Sequence, residues 1–202
     1  MALRGRPRSF DREVALDSVM KVFWAKGYEC AQINDFTAAI GITPPSFYAA
    51  FGCKEQAFRE AVDYYMATIG GAPLDALESA ATIQQGIRAM LEVNADKAYA
   101  CPAGGCMVSV SSIQCKPENK PVKDFLKAIK QTTFERILAR CERAQKDGDL
   151  PESTDLTQMA EFYHAMLQSL SSEARDGGTR EAVQSIIEMA MRAMPQRTAV
   201  AA

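Results

Sequence analysis

Ala31 to Phe58 reads AQINDFTAAIGITPPSFYAAFGCKEQAF, and the punctuation inside this stretch decides the architecture. Ile33, Phe36 and Ile40 recur at helical spacing, and Gly41 behind them tolerates the left-handed backbone that ends a helix. Thr43 is suited to cap a second helix, because its hydroxyl can accept from backbone N–H groups that lack an intrahelical partner. Pro44 follows at no cost, since a residue at the first helical position has no N–H partner to lose. A third helix starts at Lys54. Helix, tight turn and short helix in this order make a helix-turn-helix, and the open, small-residue tip of its second helix suits entry into the major groove of DNA.

The chain of 202 residues is 48% hydrophobic with a net charge of -2, enough to bury a core in one domain or two small ones. An acidic whole does not advertise nucleic acid, yet Arg4, Arg6, Arg8 and Arg12 are opposed only by Asp11 at the start of the chain. Basic charge confined to one end places DNA contact there. In Arg4-Gly5-Arg6-Pro7-Arg8, glycine and proline oppose helix while the arginines project from extended backbone. That is the chemistry of an arm that hooks into the narrow minor groove of A·T-rich DNA. A solvated tail is the other reading of the same residues.

Outward from the motif, every segment reads as helix. Asp11 is placed to cap a helix carrying Leu16, Val19, Met20 and Phe23 and ending near Gly27, with Trp24 and Tyr28 packing it against the motif. The helix from Lys54 carries Phe58, Val62, Tyr65, Met66 and Ile69 toward a break at Gly70-Gly71-Ala72-Pro73. Helical patterns follow over Leu74 to Ala80, Thr82 to Tyr99, Cys106 to Ile113 and Pro117 to Lys146. Thr154 or Asp155 caps the next helix, and Thr179 the last. No alternation of period two lasts long enough for a strand. The predicted class is therefore all-α: a basic arm at 1–10, a three-helix helix-turn-helix DNA-binding domain at 11–58, a C-terminal helical ligand-binding and dimerisation domain at 59–195, and a disordered tail at 196–202. The last two helices carry wide apolar stripes, with Phe162, Met166 and Leu170 on one and Val183, Ile187 and Met191 on the other. A four-helix interface between two copies would bury both stripes, and closure of the chain's own core is the alternative.

Gly27-Tyr28, Ile33-Asn34-Asp35-Phe36, Ala39-Ile40-Gly41-Ile42-Thr43, Phe47-Tyr48, Phe51 and Lys54-Glu55 resemble the DNA-binding signature of tetracycline-repressor (TetR) family regulators. The likeness is close over residues 11 to 60 and continues beyond them only as an order of helices. It implies a homodimer joined through the last two long helices, a ligand pocket in each regulatory domain, and ligand-driven change in the separation of the two reading heads. By position it places Thr43, Pro45 and Ser46 near bases or neighbouring phosphates, and Tyr48 and Lys54 against phosphates; Gln32 and Pro44 are further candidates for DNA contact. Two positions depart from the pattern: Ala31 replaces a capping threonine and Cys53 a capping serine, aspartate or asparagine. Alanine is worth roughly 1 kcal/mol less than threonine at a cap. Pro44, Pro45 and Ala49 leave few side chains able to make bidentate contacts to bases, so contact with thymine methyl groups and indirect readout gain weight.

Six cysteines in a chain this long, without a signal-peptide core, read as free thiols. Cys101, Cys106 and Cys115 match no common zinc spacing, His164 is the sole histidine, and no metal or other cofactor is expected. Cys106 falls at a helix start, where backbone N–H groups favour thiolate and response to oxidants or electrophiles; inert packing is its alternative. Cys101 is its feasible disulfide partner, since Cys115 lies about 13.5 Å away along a regular helix. Inward methionines such as Met90, Met107, Met159 and Met166 suit an adaptable cavity, with Met107, Phe134 and Met166 as candidate lining. Catalysis finds little support: the chain has no phosphate loop, no paired carboxylates and no cysteine beside its histidine. The absence of an apolar run of about 18 residues predicts a cytoplasmic protein without a membrane partner. The expected function is a dimeric repressor released from duplex DNA by a small-molecule inducer. A thiol sensor using Cys106 is the alternative, with a helical scaffold or thiol enzyme further away.

Overall fold

Asp11 starts the fold, its carboxylate accepting from the backbone N–H groups of Glu13 and Val14 at the head of α1 (Arg12–Cys30). The computed structural model describes residues 11–100 and 102–195, and among these it contains ten α-helices and no strand. Arg4, Arg6 and Arg8 of the expected arm, Cys101 and the tail at 196–202 lie outside the described residues. Gly27 does not end α1 as its sequence predicts. It kinks the helix at φ 71°, ψ 173°, a conformation that side chains disfavour, and one more turn reaches Cys30.

The motif follows as α2 (Ile33–Ile40), Gly41 at φ 77°, and α3 (Pro44–Phe51). α4 (Lys54–Tyr65) runs on to Gly70 as its sequence predicts, but the expected break at 70–73 does not separate it from the next helix. It widens into a π-helical turn (Met66–Gly70) that leads directly into α5 (Ala72–Ser79). Then come α6 (Ile83–Ala100), α7 (Met107–Gln114), a 3-10 turn (Pro117–Asn119) entering α8 (Lys120–Lys146), α9 (Leu156–Arg175) and α10 (Arg180–Arg192). Asp155 and Thr179 cap the last two, accepting from the N–H groups of Gln158 at 3.0 Å and Ala182 at 3.1 Å.

Two cores result. The first joins Val19, Phe23, Phe36, Phe47, Phe58 and Val62 of α1 to α4 with Met107 and Val108 of α7 and Val122 and Leu126 of α8. Helices that the sequence assigns to the regulatory half therefore close the core of the DNA-binding half. The second core gathers Leu77, Ile87, Leu91, Ile137 and Tyr163 with Leu170, Val183, Ile187 and Met191. Each large side chain fully buried in these cores contributes roughly 1.5–3 kcal/mol of transfer free energy.

The second core corrects the expected dimer surface. Leu170, Val183, Ile187 and Met191 are buried inside the single chain, so four of the six residues assigned to pairing face inward. The strongest apolar period on a helix marks its core side, and only the weaker flank remains for a partner. Here that flank carries Phe162, 37% exposed, half-buried Met166 and Ile186, and Met189, 63% exposed.

Gly86 records how closely α5 and α6 approach, because a Cβ there would lie 2.7 Å from the Leu77 carbonyl oxygen. Glycine to alanine inside a helix ordinarily gains up to about 1 kcal/mol. Here the obstacle is backbone and cannot swing aside, so Gly86→Ala should lose about 1–3 kcal/mol in urea unfolding. A gain would show that the α5–α6 contact yields easily.

Candidate DNA-reading surface and regulatory cavity

The reading surface is built by what lies behind it. Phe47 and Phe51 turn inward, and the Phe47 ring stacks on Phe36 with centroids 5.3 Å apart and planes at 11°. The opposite side of α3 is thereby fixed outward, with Thr43, Pro44, Pro45, Tyr48 and Ala49 exposed and Ser46 half-buried. Thr43 does not cap through its side chain; its hydroxyl pairs with the Ser46 hydroxyl at 3.0 Å. Pro45 contributes to the change, for it removes one of the two N–H groups, at the second and third helical positions, that a capping side chain serves. α3 itself carries no charged residue.

The two departures from the family pattern are absorbed locally. Ala31 is fully buried, and the exposed Gln32 takes the position before α2, donating its N–H to the Asp35 carboxylate at 2.8 Å. Lys26 also binds this carboxylate and, with Gln32, holds Asp35 below the usual carboxylate range. Cys53 does cap α4: its sulfur accepts from the Gln56 N–H at 3.5 Å, while the Gln56 side chain accepts from the Cys53 N–H at 3.2 Å. Lys54 is folded back at the α1–α4 junction, with Nζ 4.6 Å from the Tyr28 ring centroid and 3.4 Å from the Glu29 carbonyl oxygen. Burial there lowers its pKa from the ordinary lysine value. Thr43, Pro44, Pro45, Ser46 and Tyr48 thus form one tip, while Gln32 and Lys54 stand at the starts of the flanking helices.

Residues 82–190 match the family model described as tetracyclin repressor-like, C-terminal domain. Over 199 residues the chain is 32% identical to the HTH-type transcriptional repressor ComR of Escherichia coli strain K12, covering 96% of this chain and 93% of ComR. The chain belongs to the TetR family. This TetR regulator is also 28% identical over 190 residues to the transcriptional repressor BdcR of the same organism, covering 92% and 90% of the two chains. Among solved structures it matches a cysteine-substituted form of the TetR-family regulator CifR complexed with 26-base-pair operator DNA, at a TM-score of 0.90 and 38% identity over 95% of this chain and 100% of that one. It is accordingly a DNA-binding transcriptional regulator, with an N-terminal helix-turn-helix and a C-terminal helical domain. Among the described residues no helix is long and apolar enough to cross a membrane.

In the regulatory half of the TetR regulator a cavity of about 70 Å³ lies between the π-helical turn and α5 to α9. Met66, Leu74, Ile129 and Leu167 supply apolar wall, and Cys106, Lys130 and His164 supply polar wall. A groove of about 290 Å³ shares Cys106, Ser109, Lys130, Gln168 and Ser171 with the cavity and reaches Arg175. Cys106, expected at a helix start, also lines this wall. Met107 is not, because one helical step turns it about 100° away into the first core. Phe134 and Met166 pack against the second core instead, Phe134 with its ring 6.1 Å from His164. Lys130 and His164 were missed as lining, although Lys130 falls four residues after inward Leu126 and so lies on the same helix face. Burial lowers the pKa of both groups; the Cys106 thiol opposes that for Lys130, and Lys130 reinforces it for His164.

Arg175 ties this region to the reading head. Its guanidinium donates to the carbonyl oxygens of Trp24 at 3.3 Å, Ala25 at 3.0 Å, Ala103 at 3.0 Å and Gly104 at 3.3 Å. Trp24 in turn donates from Nε1 to the Gly104 carbonyl oxygen at 3.1 Å.

Tyr48 is 48% exposed, and its hydroxyl has no hydrogen-bond partner among the described residues. Tyr48→Phe should weaken binding to a selected duplex by about 1 kcal/mol, roughly fivefold, with the urea unfolding curve unchanged. Equal affinities by fluorescence anisotropy would remove Tyr48 from the DNA contact.

Proposed function

We propose that two copies of the regulator bind a two-fold symmetric operator through paired α3 helices, repress transcription there, and let go when a small molecule occupies the cavity. Residues 11–58 act as the reading head and residues 59–195 as its regulatory and pairing part. The carrying observation is the reach of one continuous element. α4 begins at Lys54 beside the reading helix, and its π-helical continuation supplies Met66 and Gly70 to the cavity wall, about 24 Å along the axis. A ligand that displaces this wall displaces the element that holds α3. Arg175 gives the adjoining groove, which shares Cys106 and Lys130 with the cavity, a second connection, to α1.

Pairing is assigned to the outward flank of α9 and α10, around Phe162 and Met189. The basic arm adds minor-groove contacts beside each half-site. Selecting bound duplexes from a random pool tests these statements together. A two-fold symmetric site with A·T-rich flanks is expected, and Met189→Asp should shift the protein from dimer to monomer by analytical ultracentrifugation and abolish tight binding to that site. An asymmetric selected site, or an unaltered dimer in the variant, would sink the paired reading.

One observation favours a second reading, in which the signal is covalent: the Cys106 side chain lines both the cavity and the groove. Cys30 and Cys53 are exposed and would also react, so the test uses the Cys30→Ser/Cys53→Ser background. Iodoacetamide should then label Cys106 and release the duplex. Unchanged affinity of protein fully labelled at Cys106 would end the thiol reading.

A further inference from the structure

The cavity and groove are charged on one side only. Neither is lined by an aspartate or glutamate, whereas Lys130, His164 and Arg175 all stand there. Arg175 is committed to four backbone carbonyl oxygens. Lys130 is not committed. Among the described residues its half-buried ammonium meets no carboxylate and makes no hydrogen bond, and its titratable neighbours are the Cys106 thiol and His164. Lys97, Lys123, Lys127 and Lys146 also have no ion pair among the described residues but are exposed to solvent, whereas the less exposed Arg88 pairs with Glu188 and Arg136 with Asp75 and Glu78.

The polar groups around Lys130 are also open. Ser109 on α7 and Gln168 on α9 line the cavity from neighbouring helices, and neither side chain has a hydrogen-bond partner among the described residues. Met66, Pro73, Leu74 and Leu167 supply apolar wall to the same cavity. A half-buried cation without a counter-charge lowers the stability of the protein that holds it. Such a cost fits a site whose ligand supplies the missing charge.

We infer that the cavity, together with the groove that shares its Lys130 wall, binds a small organic carboxylate, its negative charge meeting Lys130, its oxygens accepting from Ser109 and Gln168, and its apolar body lying against Met66, Leu74 and Leu167. This rests on the proposal that the cavity is the inducer site. Arg175 keeps its charge but has its N–H groups on backbone carbonyl oxygens, so Lys130 is the cation whose donors are free for a carboxylate, and a cationic ligand would meet like charge.

The test is thermal unfolding of the full chain at constant ionic strength with sodium hexanoate and sodium benzoate, against hexanol, benzyl alcohol and hexylammonium chloride. The carboxylates should raise Tm at concentrations about tenfold or more below those of the neutral and cationic compounds. Lys130→Met should unfold at the same or a higher temperature without ligand and lose the carboxylate preference by about tenfold or more, while still binding hexanol. Lys130→Arg should keep the preference. The inference is overturned if no carboxylate shifts Tm, if neutral compounds match the carboxylates, or if Lys130→Met preserves the difference. Because Tm reads the cavity without DNA, failed duplex selection with an intact carboxylate preference would remove the operator reading alone. Intact duplex binding without that preference would remove the carboxylate alone.

Discussion

Phe36 and Phe47 lie face to face, and Phe23 and Phe58 close on them from α1 and α4 with centroid distances to Phe23 of 4.6 Å for Phe36 and 5.0 Å for Phe58. These four rings set the rotation of α3 about its own axis, since Phe47 can be buried only if Thr43, Pro44 and Tyr48 are turned out. A recognition helix of eight residues is too short to be stable alone. Its conformation is therefore borrowed from the packing behind it, and any change in α1 or α4 is felt at the tip.

The same dependence runs in the other direction. Met107, Val108, Val122 and Leu126 complete the first core from helices that also line or flank the cavity. The reading head is thus not hung from the regulatory half by a linker, because the two parts share buried surface. Arg175 adds a polar clasp that bridges α9, α1 and the loop before α7. Close-packed interiors have low compressibility and transmit strain, and the shared core leaves no linker between the cavity wall and the DNA end.

The helix-turn-helix was legible in the sequence because its signals are local: Gly41 at positive φ, prolines at the start of α3, and aromatic spacing all act within a few residues. The caps were harder. Ala31 looked like a weak cap but is a core residue, and the cap is formed one position later by Gln32 and Asp35 through a contact that spacing alone does not specify. Leu170, Val183, Ile187 and Met191 read correctly as a buried stripe, yet periodicity cannot say whether the covering surface comes from the same chain or a second one. The cavity was the least legible part. Apolar Met107 fits the sequence signal for a pocket residue, while Lys130 and His164 supply polar wall from positions whose significance depends on which helices meet there.

Pro44-Pro45 has a consequence for how the tip meets DNA. Two pyrrolidine rings fix φ at the first turn of α3, so this end of the helix has few alternative conformations to lose. A tip that is already ordered contributes little unfavourable entropy on docking, and it equally has little freedom to remodel itself around an imperfect site. The regulator should therefore discriminate among sequences by whether the groove conforms to it, making the stiffness of the DNA, more than the adaptability of the protein, the variable that sorts one site from another.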